Sequence, residues 1–261
     1  AASPFVAVCA DDDLLLPDPL GEAAAFLADR PEYAAAQGIS VGFRYAPDGL
    51  RIDQVIYDGP SIDGDTVAAR FLQLYTRYEA CFYAVYRRDV QLALWEGMPL
   101  VPRTVLLEAY HSASTIVHGK VARLPHLAYL RNLGVPHHAR DFEGWNQWMA
   151  HDFDEFILRY QEHRERILRA IAARPGAGEL PADALKRMLD MTFVLYIGLE
   201  FHVGFWVDEY LARLVPDSTA RARLTSWVYA GKLGGTATAG KVPTPAAPAG
   251  LRLAVRSAVE S

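Results

Sequence analysis

Three consecutive aspartates, Asp11, Asp12 and Asp13, follow a short apolar run, Phe5-Val6-Ala7-Val8-Cys9-Ala10. Adjacent carboxylates repel one another, so a triplet of them calls for a reason. Capping does not supply it, because the helix expected downstream takes Asp18 as its N-cap and Pro19 as its first helical residue. In an extended or turning backbone Asp11 and Asp13 point one way and Asp12 the other. Two carboxylates on one side of the chain, at the C-terminal end of a buried strand, suit a hard divalent cation. Mg2+ or Mn2+ takes one or two carboxylates and completes its shell with phosphate oxygens and water. The bland alternative is an acidic loop that binds nothing.

The elements around the triplet follow from hydrophobic spacing. Phe5–Ala10 reads as a strand buried on both faces, and the downstream helix runs to Pro31. Segments 36–45 and 51–57 read as extended and joined by the turn Ala46-Pro47-Asp48-Gly49. Residues 64–79 are expected to be helical, with Val67, Phe71, Leu74 and Tyr78 on one face. Cys81–Tyr86 reads as a second buried strand, with helices over 88–95 and 104–118, the latter closed by Gly119. A strand over 121–131 is expected to break at Pro125.

Beyond Pro136 the pattern turns helical. Trp145, Met149, Phe153, Phe156, Tyr160, Ile167 and Ile171 step at three, four and seven along one long amphipathic helix. Helices over 181–214 and 218–230 follow, and the Pro- and Ala-rich 233–261 reads as a flexible tail. The expected organisation is an α/β first part over 1–140, an all-helical part over 141–232, and the tail.

The whole chain has 261 residues, 51% of them hydrophobic, and a formal net charge of −5. That composition belongs to an ordinary globular protein and offers no basic face for nucleic acid. Two cysteines, Cys9 and Cys81, are too few for a disulfide framework. Cys9 reads as strand filling. The apolar stretch 191–211 is interrupted by Glu200, His202 and Asp208, so it reads as a buried helix rather than a membrane span. A cytoplasmic location follows, with peripheral contact at the inner face of a membrane left open.

Several chemistries place aspartates after a strand. A phosphohydrolase of haloacid-dehalogenase type would use Asp11 as nucleophile, but Leu15 stands where its pattern wants Thr or Val. A receiver domain wants a second helix where 36–57 reads as a hairpin. Pro17 and Pro19 forbid the helix of an isoprenoid synthase, and an EF-hand loop lacks its Gly and Glu.

The stretch FVAVCADDDLLLPDPLGEAAAFLADRPEYAAAQG, then CFYAVYRRDV, the helix around Leu107-Glu108, and HGKVARLPHLAYLR together resemble a bacterial GT-A glycosyltransferase domain of the family-2-like kind, over roughly residues 3–145. The resemblance implies a GT-A-like mixed sheet lacking its N-terminal nucleotide-binding part, on the order of 100 residues. It implies inverting transfer from a nucleotide-sugar donor to a glycan, lipid or protein acceptor. Asp11 and Asp13 would hold the Mn2+ or Mg2+ and its diphosphate, with Asp12 near the sugar or ribose. Glu108 matches the family's base, although no Glu-Asp pair stands there.

The expected helix around Glu108 buries Leu106, Tyr110, Ala113 and Val117, and leaves Thr104, Glu108, His111, Ser112 and Thr115 on its other face. Arg131, His137 and His138 would lie on a loop able to reach metal or diphosphate, with His137 as a further metal ligand. Lys120 and Arg123 would anchor phosphate. Glu200 and His202 read as structural, and Trp145 and Trp148 as core rather than a sugar platform. A rival from another class is a non-catalytic module that uses 191–211 as a partner surface.

Overall fold

The computed structural model of the chain describes residues 3–98, 103–134, 145–174 and 180–201. The elements come in the order β1 (Phe5–Ala7), β2 (Leu14–Leu15), α1 (Pro17–Asp29), β3 (Tyr33–Ala46), β4 (Gly49–Tyr57), α2 (Val67–Thr76) and β5 (Val85–Arg87). Then follow α3 (Arg88–Gly97), α4 (Thr104–His118), β6 (Lys120–Asn132), α5 (Trp145–His151), α6 (Phe153–Ala172) and α7 (Ala182–Phe201). The fold is α/β, with one mixed six-stranded sheet and helices on both of its faces.

Two long strands form the centre. β3 and β6 run parallel from Tyr33 opposite Lys120 to Phe43 opposite Asn132. The other edge of β3 is shared: Ala35 and Ala36 pair with β5, and Ser40–Ala46 pair with β4. The β3–β4 turn needs Gly49, whose φ of 128° is one that side-chain-bearing residues rarely adopt. Between Gln37 and Ser40 the β3–β6 register shifts twice, where β6 carries Pro125. The strand therefore continues through the proline as a bulge instead of ending there, since a bulge excuses the missing N–H.

Alternation along the central strands sorts the core. Ala35 and Val121 face a large cluster built with α2, α4, α6 and α7, while Ala36 and Ala122 face α1 through Ala23 and Leu27. Residues on both sides of position 140 thus share one core. Trp145 and Trp148 stack within it at 6.1 Å, both fully buried.

Several expectations are corrected. α1 starts two residues early, with Pro17 in its first turn, Leu16 as cap residue and no side-chain cap; Asp18 lies inside the first turn. β1 is a half-buried strand at one end of the sheet order, and Cys9 lies beyond it, exposed. Cys81–Ala84 form a turn, so the strand there is only Val85–Arg87. The long helix after Trp145 is two, because Asp152 caps α6 by accepting from the Glu155 N–H at 2.8 Å. Among the described residues from 145 onward every element is helical; the helix expected over 218–230 and the tail over 233–261 lie outside them. No helix among the described residues is long and apolar enough to cross a membrane.

The amphipathic pattern expected for the 104–118 helix also fails. Its boundaries are as expected, but His111, Ser112 and Thr115 are as buried as the apolar face. The cause is position, because α4 packs against α2, α3, α6, β3 and β6 at once. His111 sits among the rings of Phe82, Tyr86 and Trp95, at 5.0, 5.3 and 6.3 Å. Burial lowers its pKa to about 4, and that of His163 to about 3. Both histidines are therefore neutral in the fold and protonate in the unfolded chain near the ordinary value of 6.5. Stability is complete above pH 6.5 and declines as the pH falls toward 4, by up to about 1.4 kcal/mol per pH unit for each histidine. Urea unfolding at pH 7.5, 6 and 5 checks this slope, and His111→Phe should flatten it.

A buried ion pair ties the sheet to the chain that follows β4. Arg123 donates to the Glu79 carboxylate, to the Gly59 carbonyl at 3.1 Å and to the Gly38 carbonyl. Glu79 in turn accepts from the Gly59 N–H at 2.8 Å. Arg123 is thus engaged within the fold through Nε, Nη1 and Nη2 alike. Arg123→Ala would remove the shortest partner of the Glu79 carboxylate while leaving Arg77 Nε at 3.5 Å, and should cost up to about 3 kcal/mol in denaturant unfolding, whereas an Arg123→Met, Glu79→Met double variant should lose much less.

Candidate functional site

The acidic triplet is placed by the topology. β1 and β2 lie at opposite ends of the sheet order, so residues 8–13 cross over the strand ends between them. β2 then pairs antiparallel with the far end of β6, Leu14 opposite Leu130 and Leu15 opposite Tyr129. That pairing delivers Asp13 to β6. One carboxylate oxygen of Asp13 accepts from the Asn132 backbone N–H at 2.8 Å, and the other accepts from the Tyr129 hydroxyl. Asp12 is half-buried and Asp11 exposed, and neither side chain has a hydrogen-bond partner among the described residues.

Tyr129 continues the site. Its ring stacks on Tyr83 at 4.2 Å, with the planes 16° apart. The Tyr83 phenol is pushed up by burial, and the charges of Glu108, Arg131 and Asp13 all act on it. Glu108, half-buried near the start of α4, therefore lies on the same side of the molecule as the inward aspartate. Burial raises the Glu108 carboxyl above its ordinary value, and the Arg131 guanidinium pulls it partway back. Two further phenols feel its charge: Tyr57, raised to about 12 chiefly by burial, and Tyr78, raised well above 10 for the same reason. Ser112, one helical turn after Glu108, shares a hydrogen bond of 3.4 Å with the Tyr78 hydroxyl and accepts from the Cys81 N–H at 3.1 Å.

The charges of Asp13, Glu108 and Arg131 thus all reach Tyr83, and Asp11 and Asp12 lie on the segment that leads to Asp13. Lys120 is not among them. It stands at the opposite end of β6, opposite Tyr33 where Tyr129 is opposite Ser40, seven residues of β3 or roughly 23 Å away. There it pairs with Asp65 at 2.7 Å. His137 and His138 lie outside the described residues, as do the side chains of Glu200 and His202.

Tyr129, Tyr83, Tyr57 and the Asn132 backbone join the site without a sequence signal of their own, because an aromatic in a strand reads first as core. The pairing of β2 with β6, which brings positions 13 and 129 together, depends on a two-residue strand too short to show any periodicity.

The donor set is hard oxygen throughout. Each Asp13 oxygen accepts one hydrogen bond and keeps a further lone pair for a cation. Among the described residues no three His, Cys, Asp or Glu side chains converge as a metal cage. What is present suits an ion held by one or two carboxylates and completed by a ligand's phosphate oxygens, as Mg2+ and Mn2+ usually are. Compared with known proteins, the chain matches no family model and no curated protein.

The Glu108 environment makes a prediction independent of any reaction. Its folded pKa lies above the ordinary 4.5, so the carboxyl loses its proton later than an exposed glutamate. Because Arg131 favours the charged form, Arg131→Ala should move the Glu108 titration to still higher pH. Carboxyl-13C NMR of glutamate-labelled protein reads this directly; an unchanged or lowered midpoint would contradict the placement of Arg131.

Proposed function

We propose that the chain carries the metal and acceptor half of a GT-A-like glycosyltransferase domain. In this reading it transfers a sugar with inversion from a nucleotide-sugar donor to a glycan, lipid or protein acceptor. The observation that carries the proposal is the pair of carboxyl groups around Tyr83: Asp13, anchored by β6, and Glu108, half-buried with a raised pKa. A mixed sheet in an α/β fold is in keeping with what the sequence resemblance implies.

The roles divide by environment. Asp13 and Asp11 would hold a divalent cation, and Asp12 would face the sugar or ribose. The bound Mn2+ or Mg2+ would neutralise charge on the leaving diphosphate. Glu108 takes the proton of the acceptor hydroxyl while that oxygen attacks the anomeric carbon and the bond to the diphosphate breaks. Its raised pKa makes it a stronger base than an exposed glutamate, at the cost of being ionised only at higher pH. The positive charge of Arg131 favours the ionised form of Glu108 and so offsets part of the effect of burial. Lys120 has no part in this scheme, since its ammonium is remote and paired.

Nucleoside diphosphate release from a panel of nucleotide-sugars, measured with Mn2+ and with chelator, tests the reading. Glu108→Gln should lower turnover by roughly 10²–10⁴, and Asp13→Ala should abolish the Mn2+ dependence. Release of inorganic phosphate from a simple phosphomonoester, without nucleotide-sugar turnover, would overturn it in favour of a hydrolase using Asp11 as nucleophile.

A further inference from the structure

The glycosyltransferase reading assigns no task to the residues that hold Asp13. We infer that Tyr129 is a positioning residue for the divalent cation: its hydroxyl fixes the plane of the Asp13 carboxylate, and so the direction of the lone pairs left for the metal. The inference rests on that reading of the triplet, and deepens it.

The geometry separates Asp13 from its two neighbours. Asp13 alone has both oxygens engaged, one by a backbone N–H that cannot move without moving β6, the other by a phenol. A carboxylate on a single donor still pivots about its Cβ–Cγ bond, whereas one held at both oxygens does not. Tyr129 is itself fixed. It is 4% exposed, stacked on Tyr83, and paired through its backbone with Leu15 of β2 and Ser40 of β3. The hydroxyl is therefore held between the Asp13 carboxylate, to which it donates, and the Tyr83 hydroxyl. Hydrogen bonds of this kind from outside the ligand shell typically change metal affinity about 10- to 100-fold when removed.

The same strand also serves the second carboxyl group. Tyr129 and Arg131 stand two apart on β6, and so on one face of it. The first holds Asp13, and the second offsets the burial of Glu108. Four residues of one strand, 129–132, thus set the direction of one carboxylate and the charge of the other.

The test is Mn2+ affinity, read from the signal of free Mn2+ in electron paramagnetic resonance, with and without a nucleoside diphosphate. Wild type, Tyr129→Phe and Asp13→Asn are compared. Tyr129→Phe keeps the ring and its stack but removes the donor, and should weaken Mn2+ binding about 10- to 100-fold while near-ultraviolet circular dichroism stays unchanged. With turnover in hand, the Mn2+ concentration for half-maximal rate should rise by the same factor, with kcat at saturating Mn2+ much less affected. A folded Tyr129→Phe protein that binds Mn2+ within about twofold of wild type overturns the inference. Wild-type protein that binds no Mn2+ in either condition overturns the glycosyltransferase reading itself, so the two failures are distinct. Should Tyr129→Phe not fold, Tyr129→His decides: with a ring and an N–H donor it should bind Mn2+ more tightly than Tyr129→Leu, and equal affinities overturn the inference.

Discussion

The parallel pairing of β3 with β6 is the constraint from which most of the molecule follows. A parallel pair needs a crossover and cover on both faces. The chain between Ala46 and Lys120 supplies the crossover, and its helices α2, α3 and α4 cover one face, while α1, which precedes β3, covers the other. Because β3 is longer than the partners on its other edge, that edge divides between β5 and β4. The far end of β6 is then free on its outer side to take β2, and with β2 comes Asp13. The candidate site is in this sense a by-product of strand order: residues 116 positions apart in the chain meet because one strand is long enough to reach them.

Burial sets the chemistry that this meeting permits. Glu108 stands on a helix enclosed on nearly every side, so its carboxyl is shielded from water and holds its proton more tightly. Asp13 is instead held at both oxygens, by the Asn132 N–H and the Tyr129 hydroxyl. Two groups of nearly identical intrinsic acidity are thereby given different work, the one suited to proton exchange and the other to a cation. The surrounding phenols of Tyr57, Tyr78 and Tyr83 are all pushed up, so they remain protonated and able to donate.

Much of the fold was legible in the sequence where periodicity was strong. The α4 boundaries, the β3–β4 hairpin with its Gly49 turn and the buried tryptophans all follow from spacing and turn chemistry. Legibility failed where context decides. Nothing local in HSASTIVH announces that both sides of α4 are covered, and nothing in CFYAVY shows that its first four residues turn. The triplet and Glu108 were visible as candidates through residue type and order. Their partners were not, since Tyr129 and Tyr83 read as ordinary core aromatics. Lys120 illustrates the reverse error, because closeness in the chain to Arg123 and Arg131 says little about place when a strand carries each residue about 3.3 Å further.

The bulge at Pro125 has a bearing on chain length. Between Gln37 and Ser40 of β3 the register with β6 advances from Arg123 to Tyr129, so β6 spends six steps where its neighbour spends three. The surplus is odd. Side chains alternate between faces with a period of two, so an odd surplus decides which face Tyr129 and Arg131 present. Substitution within 124–128 leaves that parity intact, whereas loss or gain of a single residue there would turn both side chains to the opposite face of the sheet. This stretch of the chain is therefore strict in count.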